Sequence, residues 1–141
     1  MSGVVAAAVI VLNDQVLLTQ RSEKTSFSGR WELPGGSVEK GETAQEAVIR
    51  EVEEELSITV RLQSDLPIFA GPLGQGDKSW YICFFHCSLG SPDDVNRIKL
   101  APQVSAWRWF PLNEDPNSAG YPCLNGTGKV FERLRRILHE D

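Results

Sequence analysis

The segment TAQEAVIREVEEEL, Thr43 to Leu56, leaves the fewest structural alternatives in this chain. Wound at about 100° per residue, it puts Val48, Ile49, Val52 and Leu56 in one sector. Glu51, Glu54 and Glu55 fall in the neighbouring sector, at spacings of three and four. The spacing predicts a helix that buries its apolar stripe against the rest of the domain. Ala44 and Ala47 share the sector of the carboxylates and are expected to leave room for something bulky above the helix. Glu46 and Glu53 point elsewhere and read as solvated. Carboxylates one turn apart repel and raise one another's pKa unless a cation intervenes. Arg50 can offset one of them. Taken alone, the run Glu53-Glu54-Glu55 reads as a charged surface face.

What precedes the helix changes that reading. Gly35-Gly36, after Pro34, reads as a tight turn, and glycines let a backbone approach a ligand and expose a carbonyl to it. Glu42 sits just before the helix start and can point back toward the carboxylates. Magnesium takes a few carboxylates, waters and substrate phosphate oxygens, which such a cluster can supply. A bridging ion would also neutralise an incoming diphosphate and acidify a water.

The rest of the chain fills one domain over residues 1–141. Val4 to Leu12 reads as a buried strand, Asn13-Asp14 as a turn and Gln15 to Arg21 as a second strand, together a hairpin. Ser22 to Arg30 reads as a loop. Trp31 to Leu33 is extended, because Pro34 disfavours helix in the residue before it. Further strands are expected at Ile58 to Leu62, Leu66 to Ala70, Trp80 to Ser88 and Ser105 to Phe110. Gly71 to Lys78 and Gly90 to Gln103 read as loops. Lys129 to Leu138 reads as a second helix with Arg133, Arg135 and Arg136 on its solvated face. The pattern is a mixed sheet with two main helices.

The formal net charge of -5 argues against a binder of nucleic-acid polymers, which needs a basic face, but not against a polyphosphate bridged by metal. No apolar run is long enough to span a bilayer, and Val4 to Leu12 lacks a basic leader. No membrane association and a cytoplasmic location are the expectation. Cys83 and Cys87, four apart on one strand, are too far apart for a disulfide. With only His86 and His139 as imidazoles, a zinc site is not expected, and the three cysteines read as reduced thiols.

Gly36-x5-Glu42-x7-Arg50-Glu51-Val52-x-Glu54-Glu55-x-Ser57-Ile58 closely resembles the Nudix box, G-x5-E-x7-R-E-U-x-E-E-x-G-U, where U is a bulky apolar residue. Only Ser57 departs from it, at a position where glycine adopts a left-handed conformation cheaply. The resemblance implies an α/β Nudix fold, an α/β/α sandwich around a mixed sheet. It implies that Glu51, Glu54 and Glu55, with the Gly35 carbonyl, hold Mg2+, or alternatively Mn2+. It also implies that Arg50 orients the glutamates and that Glu42 lies close to the metal and substrate. Glu51 is the first candidate for the general base, another loop being the alternative.

Outside the box, Phe27 to Pro34, Trp80 to Cys87 and Trp107 to Leu112 are similar to small MutT-like members. Relatives carry glutamates near Pro102 to Trp107, where this chain has Gln103 and Ala106. Asp93 or Asp94 is a candidate replacement. Pro122-x-x-Asn125 resembles a segment in which asparagine reads a purine base, its amide offering donor and acceptor. Asn125-Gly126 equally reads as a turn. Arg21 can reach phosphate, and Phe27, Trp31 and Trp80 can stack on a base or fill the core. The implied reaction is magnesium-dependent hydrolysis of a small nucleotide, a (deoxy)nucleoside triphosphate or modified nucleotide giving monophosphate and pyrophosphate, by a monomer or homodimer. ADP-ribose or a dinucleoside polyphosphate is the alternative substrate. A noncatalytic nucleotide-binding module is the alternative of another class.

Overall fold

The computed structural model describes residues 3–139. Eight strands and two α-helices follow in chain order: β1 (Val4–Leu12), β2 (Gln15–Arg21), β3 (Trp31–Glu32), β4 (Gly35–Ser37), α1 (Ala44–Leu56), β5 (Val60–Leu62), β6 (Phe69–Gln75), β7 (Lys78–Leu89), β8 (Val104–Pro111) and α2 (Thr127–His139). A single 3-10 helix, Pro92–Arg97, interrupts the segment expected to be loop.

β1 is the centre of the sheet. It runs parallel to β7 and antiparallel to β2 and β4. Its apolar run is uninterrupted because both faces are covered. Ala6, Ala8 and Ile10 point into one apolar cluster with Val48, Val52 and Leu56 of α1. Ala7 and Val9 point into a second cluster with Val130, Phe131 and Leu134 of α2. A strand with alternate residues in two cores, each closed by a helix, is the α/β/α sandwich. The hairpin between β1 and β2 turns at Asn13 and Asp14, with φ of 51° and 60°. Asn and Asp tolerate that left-handed geometry, and it matches strand twist.

Three expectations are corrected. Gly35-Gly36 is not a tight turn but part of β4, paired with β1 through Ala7↔Gly35 and Ala6↔Gly36. A side chain at Gly35 would meet the Ala6 carbonyl and Ala7 Cα, so glycine here serves close backbone packing. Gly71 to Lys78 is mostly strand. β6 and β7 pair from Phe69↔Phe84 down to Gln75↔Lys78, and the chain reverses only at Gly76-Asp77. Pro72 is accommodated because, among the described residues, β6 pairs with no strand but β7, so its other edge carries no ladder. Ala47 is fully buried in the cluster that holds Ala6 and Ala8. Small residues on both sides let α1 pack closely on the sheet, so Ala47 does not open space for a ligand.

Cys83, Cys87 and Cys123 are free thiols. Burial pushes Cys87 up to about 12, and burial with Asp115 nearby does the same for Cys123. No helix among the described residues is long and apolar enough to cross a membrane.

Candidate active site

α1 is fixed at both ends. Thr43 Oγ1 accepts the Glu46 N–H at 3.0 Å, and the Glu46 carboxylate accepts the Thr43 N–H at 2.9 Å. Glu46, expected to be merely solvated, therefore closes a capping box. The helix ends at Ser57, with φ 60° and ψ 31°, the left-handed geometry that the glycine of the motif would supply. Its hydroxyl donates to the Lys99 carbonyl at 3.3 Å.

Arg50 collects the carboxylates. Nε and Nη2 donate to the two oxygens of Glu42 at 2.7 and 3.0 Å. Nη1 reaches Glu51 Oε1 at 2.9 Å and Glu54 Oε2 at 3.1 Å, and Nη2 also donates to the Ser37 carbonyl at 3.0 Å. One guanidinium thus spans helix, preceding loop and β4, which a planar five-donor group can do and an ammonium cannot. Its pKa is raised, Glu42 contributing most, and hydrogen bonding to Arg50 lowers that of Glu42. Both Glu42 oxygens are thus engaged by Arg50, and Glu42 is not among the residues that line the cavity beside this cluster.

Glu55 behaves differently from Glu54. Glu54 is half exposed, whereas Glu55 is 8% exposed. Burial first, then the charges of Glu32 and Glu51, push Glu55 up to about 9, against the opposing Gly35 N–H and Arg21. Burial also raises Glu51. Glu32 was missed in the sequence. It sits between Trp31 and Leu33 on β3, accepts Arg21 Nη1 at 2.9 Å, and is raised by burial against the pull of Arg21. Its signal was an acidic residue inside an apolar piece directly before Pro34.

The β4 register places the glycines. Pro34 accepts the Ala8 N–H and Val38 donates to Val4, so alternate residues of this stretch face β1. Gly35 and Ser37 then direct their backbone groups away from β1, and the Ser37 carbonyl meets Arg50 there. The Gly35 carbonyl is turned the same way. Gly36 lies beneath Glu51, where an added Cβ would be 2.3 Å from the carboxyl carbon.

A cavity of about 280 Å³ opens beside this cluster. Gly35, Gly36 and Glu32 form one part of its wall, and Arg21, Phe27, Trp80 and Asn125 also line it. Of the three aromatics considered for base stacking, Phe27 and Trp80 line the cavity. Trp31 is core, edge-on to Phe110 and Tyr121 at 5.3 and 5.8 Å. Asn125 lines the cavity and precedes the Gly126 turn into α2. Its Nδ2 donates to the Gly74 carbonyl at 3.0 Å. Arg21 lines the cavity while bound to Glu32 and to the Ser26 carbonyl.

Asp93 and Asp94 do not line this cavity. Asp94 accepts the Ser91 N–H in a capping box and pairs with Arg97. The Gln103 carbonyl accepts the Ser22 N–H, and Ala106 packs in the α2-side core. The His139 side chain lies outside the described residues.

The donors fit a hard divalent cation by their chemistry: carboxylates and an outward carbonyl. Glu55, buried with acidic neighbours, lies where a cation would offset charge. Arg50 draws Glu51 and Glu54 to itself here, and no group of three or more His, Cys, Asp or Glu converges as a metal cluster among the described residues.

Known proteins bear on this arrangement. Residues 2–121 match the NUDIX domain model. The chain is 39% identical over 116 residues to a Caenorhabditis elegans protein named putative nudix hydrolase 1, covering 78% of this chain but only 29% of that one. It is 38% identical to a putative 8-oxo-dGTP diphosphatase of Bacillus subtilis, covering 79% and 72% of the two chains. Its fold is similar to that of a MutT NUDIX hydrolase from Burkholderia pseudomallei, with a TM-score of 0.75, 26% identity and 94% and 97% of the chains covered. A sandwich with its glycine strand under a carboxylate helix, matched over most of its length, places this chain in the Nudix hydrolase family.

Proposed function

We propose that this chain is a magnesium-dependent pyrophosphohydrolase of a nucleoside triphosphate or modified nucleotide, releasing a monophosphate and pyrophosphate. The observation that carries the reading is one cavity with two chemistries. Phe27, Trp80 and Asn125 suit a base, while Gly36 lies under Glu51, and Gly35 and Glu32 neighbour Glu55.

Glu51, Glu54, Glu55 and the Gly35 carbonyl are the residues proposed to hold the ion. A bound divalent cation supplies charge neutralisation for the diphosphate and makes a water nucleophilic at neutral pH. Glu51 Oε2, not engaged by Arg50, is the atom proposed to take the proton from the attacking water. Arg50 holds Glu51 and Glu54 in place while itself anchored by Glu42. Arg21, held by Glu32, is the cationic group proposed for the phosphate chain. Phe27 and Trp80 present aromatic faces to the base.

The kinship to a protein named for 8-oxo-dGTP supports a nucleotide substrate. The test is a substrate screen with and without Mg2+ or Mn2+. Canonical, oxidised and methylated triphosphates, ADP-ribose and a dinucleoside polyphosphate would each be supplied, with products resolved by chromatography. Turnover of a triphosphate to monophosphate and pyrophosphate is expected. Turnover of ADP-ribose or the dinucleoside alone would overturn the substrate assignment. Nucleotide binding without turnover of any compound would identify a binding module instead.

A further inference from the structure

Asn125 donates one of its two Nδ2 hydrogens to the Gly74 carbonyl at 3.0 Å, which sets the orientation of its amide. Its backbone N–H in turn donates to Gln75 Oε1 at 2.6 Å. Each bond fixes which way an amide faces. Asn125 Oδ1 and Gln75 Nε2 are the amide atoms that these two bonds do not engage. Both residues line the same cavity as Phe27 and Trp80. An acceptor and a donor are therefore offered from two elements, the N-terminal approach to α2 and the end of β6.

The surroundings hold the pair in place. The Gly74 carbonyl and Gln75 belong to the β6–β7 hairpin. The position of a Gly76 Cβ lies 3.6 Å from the Phe27 ring, so the hairpin turn packs on the aromatic residue that faces the cavity. Gly126 fits against Leu73, where a Cβ would lie 2.7 Å from a methyl carbon. Neither amide can reverse without giving up a bond.

We propose that Gln75 is a specificity-determining residue that reads the nucleobase together with Asn125, Nε2 donating and Asn125 Oδ1 accepting. The class of base is one whose edge sets a hydrogen-bond donor beside an acceptor, such as N1–H beside O6 of guanine or hypoxanthine. This rests on the nucleotide reading of the cavity above and deepens it.

Gln75→Glu is the test, because it keeps an oxygen for the Asn125 N–H and exchanges the donor for an acceptor. The couple becomes acceptor beside acceptor, which suits two adjacent donors, N1–H and the 2-amino group of guanine. Hypoxanthine lacks that amino group. Binding of GMP and IMP is measured by calorimetry, with KM and kcat for GTP and ITP alongside. The natural chain is expected to bind GMP and IMP within about threefold of each other. Gln75→Glu is expected to favour GMP over IMP by about tenfold, the worth of one hydrogen bond to a base edge. Gln75→Met, which removes the donor and the acceptor of the Asn125 N–H together without adding charge, is expected to weaken both by about tenfold or more. Melting curves of the variants establish that they fold. Folded Gln75→Glu with an unchanged GMP-to-IMP ratio would overturn the proposal, even where triphosphates are hydrolysed. Failure of the natural chain to bind any nucleotide would instead overturn the reading on which it rests.

Discussion

Gly36 lies directly under the carboxylate of Glu51: a β-carbon there would stand 2.3 Å from Glu51 Cδ and 2.5 and 2.6 Å from its two oxygens. Gly36→Ala therefore collides with the mobile end of one side chain, and the fold can absorb it. Glu51 would be moved off its bond to Arg50 Nη1. The expected result is a cooperative melt close to that of the natural chain and a fall in kcat of about 100-fold, the loss that misplacement of a reacting group by an ångström brings. Gly35→Ala collides instead with backbone, the Ala6 carbonyl and Ala7 Cα. It is expected to lower the denaturation midpoint, so the pair of neighbouring substitutions separates chemistry from stability.

Arg50→Lys keeps the charge and loses the fork. A lysine cannot hold both oxygens of Glu42 while also meeting Glu51 and Glu54, which Arg50 does. Activity is expected to drop at least about tenfold. Full activity in steady-state kinetics would show that the charge alone suffices.

Added Mg2+ is expected to raise the melting temperature and chelator to reverse it, since a ligand at 100 times its Kd adds about 2.7 kcal/mol. Glu55→Gln removes a carboxyl that is 8% exposed and beset by Glu32 and Glu51. The variant is expected to melt no lower than the natural chain without metal, and to lose most of the shift with it. Calorimetric scans in both conditions check this. An undiminished shift would remove Glu55 from the proposed ligand set.

Ser57→Gly supplies the residue that suits φ 60° and ψ 31° at the end of α1. Relief of the left-handed strain is worth about 1 kcal/mol, partly offset by loss of the 3.3 Å bond to Lys99. Urea denaturation is expected to show a net gain of about 0.5 kcal/mol, with kinetics unchanged.

Glu46 and Gln75 show how differently neighbouring facts were legible. The capping box at Thr43 and Glu46 is written in three consecutive steps of sequence, although Glu46 passed as a solvated residue. Gln75 carried no local mark. Its partner is Asn125, fifty positions away, brought near by the hairpin that Gly71, Pro72 and Gly74 had disguised as loop. Trp31 and Trp80 are alike in sequence, and only packing put one in the core and the other on the cavity wall.

Local sequence sets α1, its apolar stripe, the spacing of Glu51, Glu54 and Glu55, and the left-handed stop at Ser57. These follow from helical periodicity and local backbone sterics, which act within a few residues. Tertiary structure alone decided that Gly35 and Gly36 form a strand, that Glu55 turns inward while Glu54 stays half exposed, and that Glu32 joins them. Those outcomes depend on pairing to β1 and on which helix face meets it, and such contacts are made between residues far apart in the chain.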